Sequence, residues 1–258
     1  MRIAIFGDIH GNSIALDAVL TDIDQQGGVD GYWLLGDYAA IGHDPVGCLE
    51  RLSQLEDAIL IRGNTDRMLT QDFALGPSFD ELLTKDLESA AASARLHVSF
   101  AWTLGQVMQA GWMDWLQALA PEHRRTLPDG TKLLLVHASP GTDSGDGLHP
   151  YSTEEDLNLL FSEDEASLII VGHTHVAVDR QYQNKQLVNA SSVSNPFPPD
   201  LDANYLILNA DDKGFSIERR SVSYPREAVI RHLEERNHPG RAYIMAFMRG
   251  ENAAGWQR

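Results

Sequence analysis

The sequence predicts an α/β protein built on a parallel sheet, and three observations predict it. Five short runs rich in Ile, Leu and Val recur along the 258 residues, each compact enough to be a strand buried on both faces. Amphipathic stretches of helical spacing separate the first three runs. Every run ends abruptly in residues able to hold a metal or a proton, and in parallel sheets ligands collect beyond the carboxyl ends of the strands.

The first run, IAIF at residues 3–6, ends in Gly7, Asp8, Ile9 and His10. A helix follows, with Leu16, Val19, Leu20 and Ile23 on one face, Asn12 or Ser13 as N-cap and Gly27-Gly28 as its stop. YWLL at 32–35 ends in Gly36-Asp37, a second amphipathic helix occupies 45–55, and AILI at 58–61 ends in Arg62, Gly63 and Asn64. Glycine stands before the polar residue in four of the five runs, where backbone must pass close to a ligand. From 67 to 121 the pattern is helical, and Trp112, Trp115, Leu116 and Leu119 have the spacing of a buried face, which places core packing ahead of a lid over the site.

KLLLV at 132–136 ends in His137, and the polar stretch 138–151 beyond it is longer than loops ordinarily run. His149 and Tyr151 are therefore candidates for substrate contact, against the plainer reading of a solvated loop. STEE at 152–155 offers a capping box. LIIV at 168–171 ends in Gly172, His173, Thr174 and His175. QLVN at 186–189, YLILN at 205–209 and FSIE at 215–218 read as an antiparallel meander that completes a second sheet, and Pro225 opens a last helix at 226–235. His97, His123, His232 and His238 have no such context and are expected to be structural or exposed. A single domain over 1–258 is expected, with a helical insertion at about 67–121 and a helical tail at about 225–258.

Composition narrows the partners. A hydrophobic share of 43% supports a full core, and a formal net charge of −17 repels polyanions, against non-specific nucleic-acid or anionic-membrane binding and toward small ligands. The lone cysteine, Cys48, excludes an internal disulfide and fits a reducing cytoplasm. No stretch is apolar enough to span a bilayer, and no leader of the secretory kind is expected ahead of Asp8 and His10. Neither G-x-S-x-G nor G-x-G-x-x-G occurs, which removes the common serine-hydrolase and dinucleotide readings.

Asp8, His10, Asp37, Asn64, His137, His173 and His175 are thus the metal-ligand candidates. The pairs Asp8/His10 and His173/His175 are two residues apart, so an extended backbone would turn both members to one side. Carboxylate, imidazole and amide oxygen together suit borderline divalent metals, and seven donors exceed what one zinc needs, implying two ions with Asp37 as the bridge. Two divalent ions against two carboxylates leave an electropositive pocket inside an acidic protein.

On these residues the chain resembles the calcineurin-like metallophosphoesterases, with the pattern D-x-H, G-D, G-N-H-[DE], a lone His and G-H-x-H spread over residues 3 to about 208. DIHGN, GHDP, VHASP and NASSV are similar to blocks of the small bacterial and archaeal phosphodiesterases of that family. The resemblance implies a four-layer α/β/β/α sandwich, two mixed sheets flanked by helices. It also implies one ion on Asp8, His10 and His175, a second on Asn64, His137 and His173, and manganese, iron, nickel, cobalt or zinc as the metal. A metal-bound hydroxide would then attack a small or nucleotide-like phosphodiester in line with the leaving oxygen. Where the family usually carries a proton-donating histidine, this chain has Thr65, a far poorer donor. That departure weakens the alternative of a phosphomonoesterase or protein phosphatase and leaves His43, a short loop beyond Asp37, as a replacement donor or a plain surface residue. Asp66 would have oriented the missing histidine; failing that, it is an N-cap for a helix from Arg67. The catalytic set expected is Asp37, Asn64, Thr65 and His43. A non-catalytic scaffold is the other alternative, disfavoured because every ligand position is filled.

Overall fold

The computed structural model describes residues 1–72, 79–197 and 199–251. Two mixed five-stranded sheets lie face to face with helices on both outer sides. The first sheet has the order β10-β9-β1-β2-β3, from Gly214–Val222, Ala203–Asp211, Arg2–Phe6, Gly31–Leu34 and Ala58–Leu60. The second has the order β4-β5-β6-β8-β7, from Glu122–Thr126, Lys132–Val136, Leu168–Val171, Lys185–Ala190 and Ala177–Tyr182. β1, β2 and β3 run parallel, as do β5, β6 and β8; antiparallel strands close the sheets at β9, β10, β4 and β7.

Strand alternation makes the layers. Ile3, Ile5, Trp33 and Leu35 meet Leu133, Leu135, Leu168 and Ile170 between the sheets. The residues between them in sequence, Ala4, Phe6 and Leu34, face α1 (Ser13–Gln25) and α2 (Pro45–Ser53), while Leu134, Val136, Ile169 and Val171 face α7 (Glu154–Phe161). Burial on both faces explains why these strands read as unbroken apolar runs. Asn12 caps α1, its side-chain oxygen accepting the Ala15 N–H at 3.1 Å.

Between β3 and β4 the chain forms α3 (Asn64–Arg67), a π-helical turn at Met68–Asp72, α4 (Phe79–Leu83), α5 (Leu87–Gln109) and α6 (Met113–Gln117). α5 packs on α2, and Trp115 meets Tyr38 edge-on at 6.2 Å, so this segment is a wall of the core. Past β10, α8 (Arg226–Glu235) and α9 (Arg241–Met248) pack on each other and bury Val229, Ile230, Ile244 and Phe247 against the same layer.

Three expectations change. The meander is two separate hairpins: β8 pairs with β7 in the second sheet, whereas β9 and β10 add to β1 in the first. Strand adjacency in sequence carries no information on which sheet receives a hairpin. The capping box sits one residue later than STEE suggests, with Thr153 as N-cap and Asp156 as its reciprocal partner, because Thr153 is the residue with extended backbone at the helix entrance. The polar stretch 138–151 is solvated only in part: Thr142, Asp146 and Tyr151 are exposed, but Leu148 is fully buried, and its carbonyl accepts the Thr174 hydroxyl at 2.9 Å.

Candidate metal centre

All seven ligand candidates arrive at one edge of the sandwich, where the carboxyl ends of β1, β2 and β3 meet those of β5 and β6. Asp8 Oδ1 lies 3.0 Å from His175 Nε2 and 3.8 Å from His10 Nε2, and the two ring nitrogens are 3.1 Å apart. Asn64 Oδ1 lies 3.0 Å from both His137 Nε2 and His173 Nδ1. Asp37 Oδ2 stands between the groups, 3.6 Å from His10 Nε2 and 3.5 Å from His137 Nε2.

The backbone that achieves this is strained rather than extended. Asp8, His10, Asp37, His173 and His175 have φ of 52°, 48°, 59°, 70° and 58°. Left-handed conformations at non-glycine residues cost on the order of 1 kcal/mol or more each and persist only where surrounding structure enforces them. Each X-x-X pair is therefore turned to one side by two left-handed positions, which replaces the expectation of an extended strand end. The neighbouring glycines make room. A Cβ on Gly63 would stand 2.1 Å from Asp37 Oδ1, and one on Gly172 would stand 2.4 Å from Asp8 Oδ2.

Each imidazole gives one ring N–H to a backbone carbonyl. His137 Nδ1 donates to Leu35 O at 2.6 Å, His175 Nδ1 to Asn195 O at 3.1 Å, His173 Nε2 to Gly145 O at 2.8 Å, and His10 Nδ1 to Ala40 O. Such bonds fix the ring and turn its other nitrogen toward the centre, the arrangement found in metal-ligating histidines. Four ring nitrogens, two carboxylates and an amide oxygen then converge. Asp8 Oδ1 is buried with no hydrogen-bond partner among the described residues. Burial opposes charge on His137, yet Asp37 beside it pushes its pKa up to about 10; burial likewise opposes charge on Asp37, yet His137 and His10 hold its carboxyl below the usual range. This donor set draws positive charge inward and fits divalent metal ions.

Thr65 and Asp66 are both buried. The Thr65 N–H donates to Asp37 Oδ1 at 2.9 Å, while its hydroxyl has no partner among the described residues. Asp66 does not cap a helix from Arg67: α3 starts at Asn64, and the Asp66 carboxylate accepts the N–H groups of Gly63, Asp37 and Tyr38 at 2.9, 2.8 and 3.0 Å. It thereby clamps the turn that carries Asp37. His43 is no surface residue. It is fully buried, neither ring nitrogen has a partner among the described residues, and burial pushes its pKa down to about 4, so the ring is neutral near pH 7 and a scarce proton donor. His149 stacks on Tyr151 at 4.6 Å, and Tyr151 is largely exposed.

Two supporting residues escaped sequence reasoning. Asp143 accepts from the Arg62 Nε at 3.0 Å and from the Arg67 Nε at 2.9 Å, bracketing Asn64 and Thr65. Asn189 Nδ2 donates to Gly172 O at 2.7 Å and Thr174 Oγ1 at 2.8 Å, holding the turn that carries His173 and His175. The available signal was the position of each polar residue, Asp143 in an overlong loop and Asn189 at the end of an apolar run.

A paired-sheet α/β scaffold with acid, imidazole and amide donors at its strand ends defines a class of metal-dependent hydrolases. The chain matches the calcineurin-like phosphoesterase superfamily domain over residues 1–213 and belongs to that family. It is 28% identical over 240 residues to an uncharacterised protein of Methanocaldococcus jannaschii, covering 86% of this chain and 87% of that one. Its structure is similar to a metallophosphoesterase from Sphaerobacter thermophilus, with TM-score 0.72, 25% identity and 97% and 98% of the two chains covered. A hypothetical protein from Pyrococcus horikoshii OT3 shares the fold at TM-score 0.78 and 14% identity, covering 96% and 97%.

Proposed function

We propose that this phosphoesterase-family chain is a binuclear, divalent-metal phosphodiesterase for small phosphodiesters, with Asp8, His10 and His175 on one ion, Asn64, His137 and His173 on the other and Asp37 shared. The observation that carries the reading is the position of Asp37 Oδ2, about equally far from His10 and His137 and so reaching toward both donor groups. Bound ions would supply Lewis acidity toward phosphoryl oxygen and a water of lowered pKa. The chain's own residues do the remainder. The four backbone carbonyls keep the imidazoles in the ligating tautomer, and Asp66 with the Thr65 N–H fixes the Asp37 carboxylate, so the reacting centre is organised before substrate arrives.

The preference for diesters follows from Thr65. No imidazole stands at that position to protonate the departing oxygen, and neutral, buried His43 does not supply the lack. Positioned acid catalysis is typically worth about a hundred-fold to ten-thousand-fold, most for poor leaving groups. Diesters with stabilised leaving groups suffer least. The buried lone thiol of Cys48 fits a reducing, cytoplasmic setting, and among the described residues no helix is long and apolar enough to cross a membrane.

The test compares bis(4-nitrophenyl) phosphate with 4-nitrophenyl phosphate and an alkyl phosphomonoester, using protein stripped with chelator and reloaded with Mn(II), Ni(II), Co(II), Fe(II) or Zn(II). Expected is metal-dependent hydrolysis that favours the diester and falls steeply as leaving-group pKa rises. Hydrolysis that survives chelation, or favours the alkyl monoester, would overturn the reading.

A further inference from the structure

The two halves of α5 sit in different surroundings. The C-terminal half buries Ser99, Phe100, Thr103 and Val107 against the core, whereas from Leu87 to Val98, about 18 Å of helix, no residue is buried. An open helix face ordinarily carries charge. This one carries a single acid, Glu88, and a single base, Arg95, and is otherwise rich in apolar side chains: Leu87, Leu96, Val98 and alanines at 90, 91, 92 and 94. Leu87 is 88% exposed and Val98 49%, with Leu83 just ahead of the helix at 68%. Together with Leu96 and Met108 they make up most of the exposed large hydrophobic residues among those described, so the apolar surface is gathered on one segment rather than scattered.

Spacing turns that surface into a seam. Leu87, Ala91, Ala94 and Val98 follow one another at steps of four, three and four, the repeat of a helix that lies along another helix, and the alanines at its middle let two backbones come close. Charge selects the occupant. A net charge of −17 opposes the approach of a second copy over most of the surface, but α5 is formally neutral from end to end. Antiparallel pairing about a two-fold axis between Ala91 and Ala94 sets Leu87 against the partner's Val98 and Ala91 against the partner's Ala94. On the flank it sets Glu88 beside the partner's Arg95, twice by symmetry. Sliding one copy by a heptad in one direction opposes Arg95 to the partner's Arg95, and in the other direction Glu88 to the partner's Glu88. Only the first register pairs opposite charges.

We propose that the exposed half of α5 is the docking site for a second copy of this chain, which joins it as a two-fold, antiparallel helix pair in that register. A pair of helix segments of this length is small beside the about 1,200–2,000 Å² of a standard stable interface, so the dimer is reversible, with Kd in the micromolar range.

Sedimentation velocity of the full chain between about 1 and 200 μM tests it, and the chain is expected to pass from monomer to dimer across that range. Leu87→Glu, which puts a charge into the seam twice per dimer, should weaken association about a hundred-fold or more, and Glu88→Arg and Arg95→Glu should each weaken it about tenfold. Mixed together, those two charge variants should associate again, and the chain carrying both changes should do so alone, because each case restores the opposite pair. All three positions are exposed, and circular dichroism checks that the variants fold. A chain that stays monomeric at the highest concentration, or a dimer that Leu87→Glu leaves intact, overturns the proposal. So does a mixture of the two charge variants that associates no better than either alone.

Discussion

The two sheets bring different chemistry to the same edge. The sheet of β1, β2 and β3 contributes Asp8, His10, Asp37 and Asn64, which include both carboxylates; the sheet of β5 and β6 contributes three imidazoles and no acid. They are also secured differently. The first sheet fixes its central acid with hydrogen bonds from backbone N–H groups, through Asp66 and Thr65, whereas the second orients rings with backbone carbonyls and holds their turn with Asn189. Neither sheet alone has the charge and the ligand number for two ions. The difference teaches that metal should act as a tie between the sheets, and each prediction below breaks one side of it.

The largest effect is expected at the shared acid. Asp37→Ala should lower kcat on the order of a thousand-fold, since several kcal/mol of charge stabilisation are lost, and should reduce bound metal by elemental analysis. Gly63→Ala should approach the same defect without touching a ligand, because its Cβ would stand 2.1 Å from Asp37 Oδ1. His97→Ala, on the helical segment, should leave both activity and metal content unaltered.

Next come the two clamps. Asp66→Asn and Asn189→Ala should each weaken metal binding roughly ten- to hundred-fold, the usual cost of losing a partner behind the ligands. The comparison predicts different sites of damage: Asp66→Asn disturbs the Asp37 turn, and Asn189→Ala disturbs His173 and His175. Metal titration with a spectroscopic Co(II) probe should separate them. Equal loss at both ions in both variants would dissolve the distinction between the sheets. Metal at a hundred-fold excess over Kd should add about 2.7 kcal/mol of stability per site, read as a rise in Tm that chelator reverses.

A pH effect of similar size belongs to the helical side. Burial pushes His43 and His238 down to about 4, against about 6.5 in the unfolded chain. The unfolded state binds the extra protons first, so this contribution is complete above pH 6.5 and is lost as pH falls toward 4, on the order of 3 kcal/mol at most for each ring. Urea unfolding at pH 7.5 and pH 5 should show the loss, and His43→Leu should reduce it. The smallest effect is expected for Thr65→His. Both Asp66 oxygens already accept backbone N–H groups, so the new ring has no ready orienting partner, and monoester turnover should rise by less than about tenfold.

Most of this edge could be read before the fold was known. Strands buried on both faces leave unbroken apolar runs, and the glycine and ligand that end them are local signals, so β1, β2, β3, β5 and β6 were legible. β4 reads EHRRT, with mostly exposed side chains on a sheet edge, and has no hydrophobic pattern to find. The partition of the hairpins between sheets is a long-range choice, invisible in any short window. The left-handed turns escaped for a related reason: they occur at Asp and His rather than glycine, enforced by contacts from chain more than a hundred residues away, such as the His173 N–H that donates to Asp8 Oδ2 at 3.1 Å. His43 shows the limit from the other side. Its closeness to Asp37 in sequence suggested proton donation, and only its enclosure by α8 and α9 exposes a neutral ring with unfilled hydrogen-bonding capacity.

The claim that two ions join the two sheets is tested most directly by anomalous diffraction from crystals of the Mn(II)-loaded protein. The account predicts two manganese peaks per chain, one ringed by Asp8, His10 and His175 and the other by Asn64, His137 and His173, with the Asp37 carboxylate touching both. A single peak under saturating metal, or two peaks with Asp37 bound to neither or to only one, would contradict it.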